Sequence, residues 1–155
     1  RMPVEDRLRH FEEVIASQPQ LSGTILVLQR LGISLNTLNP LANFLQLIDV
    51  TLKQSGISLP AATEDEVDLC YERAASKIPS EPISRHQKVL TKSAIQLIDN
   101  HPEPWLLEQG LRVGNELVRL ARSDEEASSL VLACLMYVEA FSLLLHSEHA
   151  LSTAH

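Results

Sequence analysis

Glu139 stands in the stretch Leu130–Leu145, LVLACLMYVEAFSLLL, where only it and Ser142 are plainly polar. A carboxylate in such company must reach water or be neutralised, because burying an unpaired charge is costly. On a helix it shares a side with Ser128, Leu132, Leu135, Ser142 and His146, a narrow semi-polar stripe. Two readings stay open. If the stripe meets solvent, Glu139 needs no special role. If the helix is enclosed, the carboxylate must be paired or protonated, which marks a ligand or switch site.

The other chemically suggestive residues are weaker. His146-Ser-Glu-His149, with His155 beyond it, puts two imidazoles at i,i+3 on one helix face, a metal-compatible spacing without the remaining ligands. A solvated helix end, with histidines near the negative pole of the dipole, explains them with less. Asp99 and His101 flank a tight turn before Pro102; an Asp/His pair suits general base chemistry, and local turn hydrogen bonding accounts for it equally. Arg85, Lys88 and Lys92 follow at i, i+3 and i+7, with Lys77 nearby, as a basic row in an otherwise acidic chain. Such a row fits an acidic partner or nucleic acid, or else a solvated face paired with the acidic helix around Glu64–Glu72. There is no Gly-rich phosphate loop, nucleophile elbow, Cys-x-x-Cys or His-Glu-x-x-His in the sequence. No cofactor and no metal are implied.

Gly110 and Gly114 lie one turn apart in a helical pattern that continues on the same face with Leu117 and Ala121. Each glycine costs about 0.5–1 kcal/mol relative to alanine in a helix, so two in register call for the close approach of another helix. That helix is either the chain's own 126–146 segment or one in a second copy. Trp105, at a helix start after Pro104, reads as a core or rim anchor.

These residues must be positioned by helices. The eight prolines, at 3, 19, 40, 60, 79, 82, 102 and 104, spare the long apolar-periodic segments, and proline inside a helix costs about 3 kcal/mol or more. Between them the pattern predicts a helix over 3–16, with Val4, Leu8, Phe11 and Ile15 inward and a Glu5–Arg9 pair outward. It predicts others over 40–55 (capped by Asn39, Pro40 in the first position), 63–78, 83–100, 104–122 and 126–146. Thr63-Glu-Asp-Glu66 and Ser123-Asp-Glu-Glu126 read as capping boxes. Residues 22–31 are β-branched enough that strand competes with helix across 24–38. Leu28–Leu35 echoes Leu52–Leu59; shared helix-stop chemistry at Gly32 and Gly56 explains the echo better than a repeat.

Composition sets the frame. The chain has 155 residues, 45% hydrophobic but only 4% aromatic, so its core is aliphatic and suits helix packing. The expectation is one all-α domain over 1–155, a compact array or bundle of six to seven helices around the hydrophobic central helix 126–146; a small α+β fold is the rival. Leu130–Leu145 would extend roughly 24 Å, short of the ~30 Å hydrocarbon core of a bilayer, so no membrane span is expected. A formal charge of −7 argues against a general nucleic-acid binder. Cys70 and Cys134, within apolar helical patterns, read as buried reduced thiols of a cytoplasmic protein. Arg1 before Met2-Pro3 fits either a cloning remnant ahead of an initiator Met2 or a domain excised from a longer chain.

The functional expectation is a non-enzymatic protein–protein interaction module: an adaptor, an accessory subunit or a self-associating scaffold domain. A homodimer meeting through the Gly110/Gly114 face is expected. The alternatives are a nucleic-acid-associated regulator using the basic row, and a ligand-binding or catalytic helical domain around Glu139.

Overall fold

The computed structural model describes residues 4–78 and 100–153. Among these the chain is all helix: α1 (Val4–Ser17), α2 (Pro19–Arg30), α3 (Leu35–Gln54), α4 (Glu64–Ser76), α5 (Pro104–Leu120) and α6 (Asp124–Thr153). The expected helix 83–100 falls almost wholly outside the described residues.

Helix ends follow local chemistry. At α4 the capping box forms as expected: Glu66 N donates to Thr63 Oγ1 at 3.1 Å, and Thr63 N donates to Glu66 Oε1 at 3.0 Å. At α6 only half of it forms. Glu126 N donates to Ser123 Oγ, but the Glu126 carboxylate reaches one residue further back, to Arg122 N at 2.7 Å. Gly32 and Gly56 both take positive φ, and in each case the following isoleucine N–H returns to the carbonyl five residues earlier, Ile33 to Leu28 and Ile57 to Leu52. Both are Schellman stops, which accounts for the echo in the sequence.

Three boundaries differ from expectation, each for a physical reason. The 24–38 region contains no strand: α2 starts at Pro19, in the first turn where its missing N–H costs nothing, and the β-branched residues are tolerated by tertiary packing. Within it Ser22 returns its hydroxyl to Gln18 O at 2.8 Å. Helix α3 starts at Leu35, capped by Ser34, so Pro40 lies inside the helix. It removes the bond to the Asn36 carbonyl, which belongs to an exposed residue. In α1 the buried position is Val14, while Ile15 is exposed; Arg9 pairs with Asp6 at 2.7 Å rather than with Glu5. Of the rest of that stripe Phe11 is half-buried, and the side chains of Val4 and Leu8 lie outside the description.

Helices α1, α2 and α3 pack on one another, and α6 packs chiefly against α5 and α4. Contacts of α3 with α5 and of α2 with α4 join the two groups. The middle of α6 is buried on every side from Ala133 to Ser142, as its apolar circumference requires. Its segment Asp124–Ser147 is long and apolar enough to cross a membrane by length and composition, but 72% of that window is buried within the chain, the situation of a core helix. Polar clasps fix the arrangement. Tyr137 donates its hydroxyl to Leu21 O of α2 at 2.8 Å, and burial pushes its phenol pKa well above the ordinary value. Gln18, at the α1–α2 elbow, donates to Pro60 O and accepts from Ala62 N, holding the loop before α4 against the elbow.

Candidate functional site

Glu139 projects from the middle of α6 into the fold, and only 7% of it is exposed. Of the two readings, enclosure is the one realised. Along the stripe Ser128 and Leu132 are half-buried, Leu135 and Ser142 are buried, and only His146 reaches solvent. Among the described residues, two basic side chains meet the carboxylate. Lys77, just past the end of α4, puts its ammonium on Glu139 Oε1. His101, in the turn before α5, places Nε2 at 3.4 Å from the same oxygen.

The imidazole is held by its other nitrogen. Glu103 N donates to His101 Nδ1 at 3.0 Å, so Nδ1 is the acceptor and the ring proton of the neutral form belongs on Nε2, facing Glu139. That Nε2 is buried and makes no hydrogen bond of normal geometry. Burial pushes the His101 pKa down, and the Lys77 charge pushes it further down. Lys77 is itself lowered by burial and by Arg73. The two basic groups thus compete for one carboxylate, and a charged Lys77 ammonium disfavours a second positive charge on the imidazole. The rim of the cluster is Glu103, which accepts from Trp105 Nε1 at 2.9 Å and lies 3.6 Å from His146 Nε2. Trp105 is accordingly a rim residue, 43% exposed.

Chemically this is a buried ion pair beside a histidine whose protonation is disfavoured by burial and by the Lys77 charge. A buried pair of this kind contributes little net stability, since desolvation offsets the attraction, but losing one partner strands the other. It brings together Lys77, His101 and Glu139 from three elements. Sequence reading had singled out each but could not join residues 62 positions apart. Lys77, counted with the basic row, is instead committed to Glu139. Arg85, Lys88, Lys92 and Asp99 lie outside the described residues, as do His155 and the side chain of His149. Among the described residues no group of three or more metal-ligating side chains comes together.

The Gly110 face packs inside the chain against the 126–146 segment, the first of the two readings of the paired glycines. A Cβ on Gly110 would stand 2.5 Å from Val138 Cγ2 of α6, and Cys134 Sγ donates to Gly110 O at 3.1 Å. Gly114, Leu117 and Ala121 on the same helix are buried as well. The thiols of Cys70 and Cys134 are both free and buried, and burial pushes both of their pKa values up.

An open apolar recess of about 320 Å³ lies between α3 and α5, floored by Phe44, Leu47 and Val113. Its charged rim residues Arg112 and Glu116 are already paired along α5 with Glu108 and Arg119.

The outward side of α2 is the other candidate surface, and sequence reading missed it. Leu21, Ile25 and Leu28 face the core, whereas Leu26, Val27 and Leu31 are each more than half exposed, Leu31 at 72%. With Gly23 these outward residues fall at i, i+3, i+4 and i+8, a second apolar stripe on a helix that already has one. The signal was present as apolar residues on both faces of residues 21–31, where it was absorbed into the question of strand or helix.

Searches of protein-family models, of characterised proteins and of solved structures find no match to this chain.

Proposed function

We propose that this chain is a non-enzymatic protein-interaction module, of the adaptor or scaffold kind, and that it presents the outward face of α2. The observation supporting this reading is the stripe Leu26, Val27 and Leu31. Single exposed apolar residues are unremarkable, but a helix that buries one apolar side and keeps a second in water carries a contiguous patch of the type that marks interaction sites. A helix face of this periodicity is what helix-to-helix recognition reads. Among the described residues, the carboxylate of Glu139 is paired with Lys77, so the reading rests on the apolar stripe.

The test compares proteins recovered from the native source by the wild-type chain and by Val27→Glu and Leu31→Glu, both at exposed positions where folding should be unaffected. A recovered protein is then purified and titrated against all three. Binding lost by at least tenfold in both variants supports the reading. Equal binding by all three overturns it.

A further inference from the structure

The His101 side chain is only 3% exposed, and its Nε2 makes no hydrogen bond although a carboxylate oxygen stands 3.4 Å away. That oxygen, Glu139 Oε1, is held by the Lys77 ammonium. One carboxylate therefore has two basic groups within reach and is bonded to one of them. A polar atom left unsatisfied at such depth is costly, and a second state that satisfies it is a physical reason for its retention. We propose that this cluster is an acid-operated clasp: when His101 takes up a second ring proton, Glu139 exchanges Lys77 for the imidazolium and the turn before α5 opens. The outward face of α2 plays no part in it.

The geometry gives the exchange its direction. Lys77 is partly exposed and can turn outward, whereas Glu139 and His101 are enclosed and cannot follow it. A stranded buried carboxylate is far costlier than one that changes partner, so Glu139 keeps whichever cation stays. An ammonium and an imidazolium together would leave one positive charge uncompensated in the interior, and the group with access to water departs. The proton itself comes from solvent and arrives at Nδ1, which now accepts from Glu103 N at 3.0 Å. Both nitrogens of an imidazolium are donors, so Nδ1–H would face the Glu103 N–H and that bond must break. Nε2–H, already aimed at Glu139, becomes a charge-assisted donor. The rearrangement is local, because the first-turn amides of Leu106 and Leu107 bond to the Glu103 carbonyl and not to its N–H. Among the described residues the charged and titratable groups facing His101 are Glu139 and His146 of α6, Lys77 beyond α4, and Glu103 in its own turn. The Glu103 carboxylate favours the added proton, while Lys77 and a charged His146 oppose it. Burial and Lys77 set the threshold, so the exchange needs a pH below the ordinary histidine value of 6.5.

The test is an acid titration of the full chain followed by nuclear magnetic resonance, with nitrogen-labelled histidine and lysine side chains and His101→Gln for assignment. At neutral pH the His101 ring is expected as the tautomer protonated at Nε2. As it titrates, the Glu103 amide and Lys77 ammonium signals should move with the same midpoint, while the far-ultraviolet spectrum keeps its helical form. Lys77→Gln removes the competitor and should raise the His101 pKa by about one unit, whereas Glu139→Gln removes the acceptor and should lower it. A neutral ring protonated at Nδ1 overturns the proposal. So do Lys77 signals that stay fixed through the His101 titration, or a loss of helix at the same midpoint. Variants that shift His101 in the same direction overturn it as well. If either variant fails to fold, the wild-type titration decides by itself, since the tautomer and the shared midpoint are read without it.

Discussion

Gly110 in α5 and Gly23 in α2 both stand in the middle of helices and carry the same local cost, but their surroundings are opposite. At Gly110 the α6 helix comes so close that a Cβ would lie 2.5 Å from Val138 Cγ2, while at Gly23 a Cβ would meet nothing within 4 Å. The first glycine is explained by the fold. The second has no close neighbour among the described residues, on a helix whose outward residues Leu26, Val27 and Leu31 are apolar. The difference teaches that a glycine in a helical pattern predicts close approach only as a question; the fold must say whether the approaching group belongs to the same chain.

The largest expected effect breaks the internal side of that comparison. Val138 is β-branched and fully buried, so its methyl cannot swing aside. Gly110→Leu should therefore destabilise by about 3 kcal/mol or more, the upper range for overpacking a core. Gly110→Ala should cost about 1–2 kcal/mol even though alanine is the better helix former. Combining it with Val138→Ala should recover part of that loss in a urea-denaturation cycle, since the two sites share one contact. Additive losses would show that the α5–α6 seam does not depend on this approach.

The polar part of the same interior comes next. Glu139 has little access to water, whereas the Lys77 side chain is 26% exposed. Removing the lysine strands a buried carboxylate; removing the carboxylate's charge leaves an ammonium that can turn outward. Lys77→Ala should therefore cost about 2–3 kcal/mol, below the 3–5 kcal/mol typical of fully enclosed pairs, and Glu139→Gln should cost less. Equal losses would mean that Lys77 is as enclosed as its partner.

Much of this architecture was legible beforehand, and the misses have physical causes. The Thr63 box, the helix stops at Gly32 and Gly56, and α6 as the central helix depend on neighbouring residues or on the apolar character of one segment, both of which a sequence carries openly. Pro40 was misread as a helix start because Asn39-Pro40 satisfies the local rule; that Ser34 caps earlier, and that the orphaned Asn36 carbonyl lies on an exposed residue, is tertiary information. Glu139 was recognised as a residue needing an explanation, but its partners come from the turn after α4 and the turn before α5, and no local pattern joins them. The Arg122–Glu126 backbone contact and the Arg9–Asp6 pair show the finer limit: where a charged side chain has two partners within reach along a helix, spacing alone does not say which it takes.

His101 gives a smaller effect with a definite sign. Burial and Lys77 hold its folded pKa below the usual value near 6.5, so the unfolded chain binds the proton first as pH falls. Stability contributed by the neutral ring is full above about pH 6.5 and declines as pH drops from there toward the folded pKa, where the loss is complete. The urea midpoint of the wild type should fall between about pH 7.5 and about pH 5.5, and His101→Gln should flatten that slope. An unchanged slope would assign the acid sensitivity to other histidines and leave the imbalance between Lys77 and His101 without consequence.

The smallest effect, and the only one expected to stabilise, belongs to the outer glycine. Gly23→Ala adds a methyl where no atom of the described residues stands within 4 Å, inside a helix, at a position that needs no left-handed backbone. The alanine reduces the freedom of the unfolded chain and improves helix propensity, so folding should gain about 0.4–1 kcal/mol. Urea denaturation measures the gain. A loss would mean that something in the same chain does approach it, and would remove the contrast with Gly110.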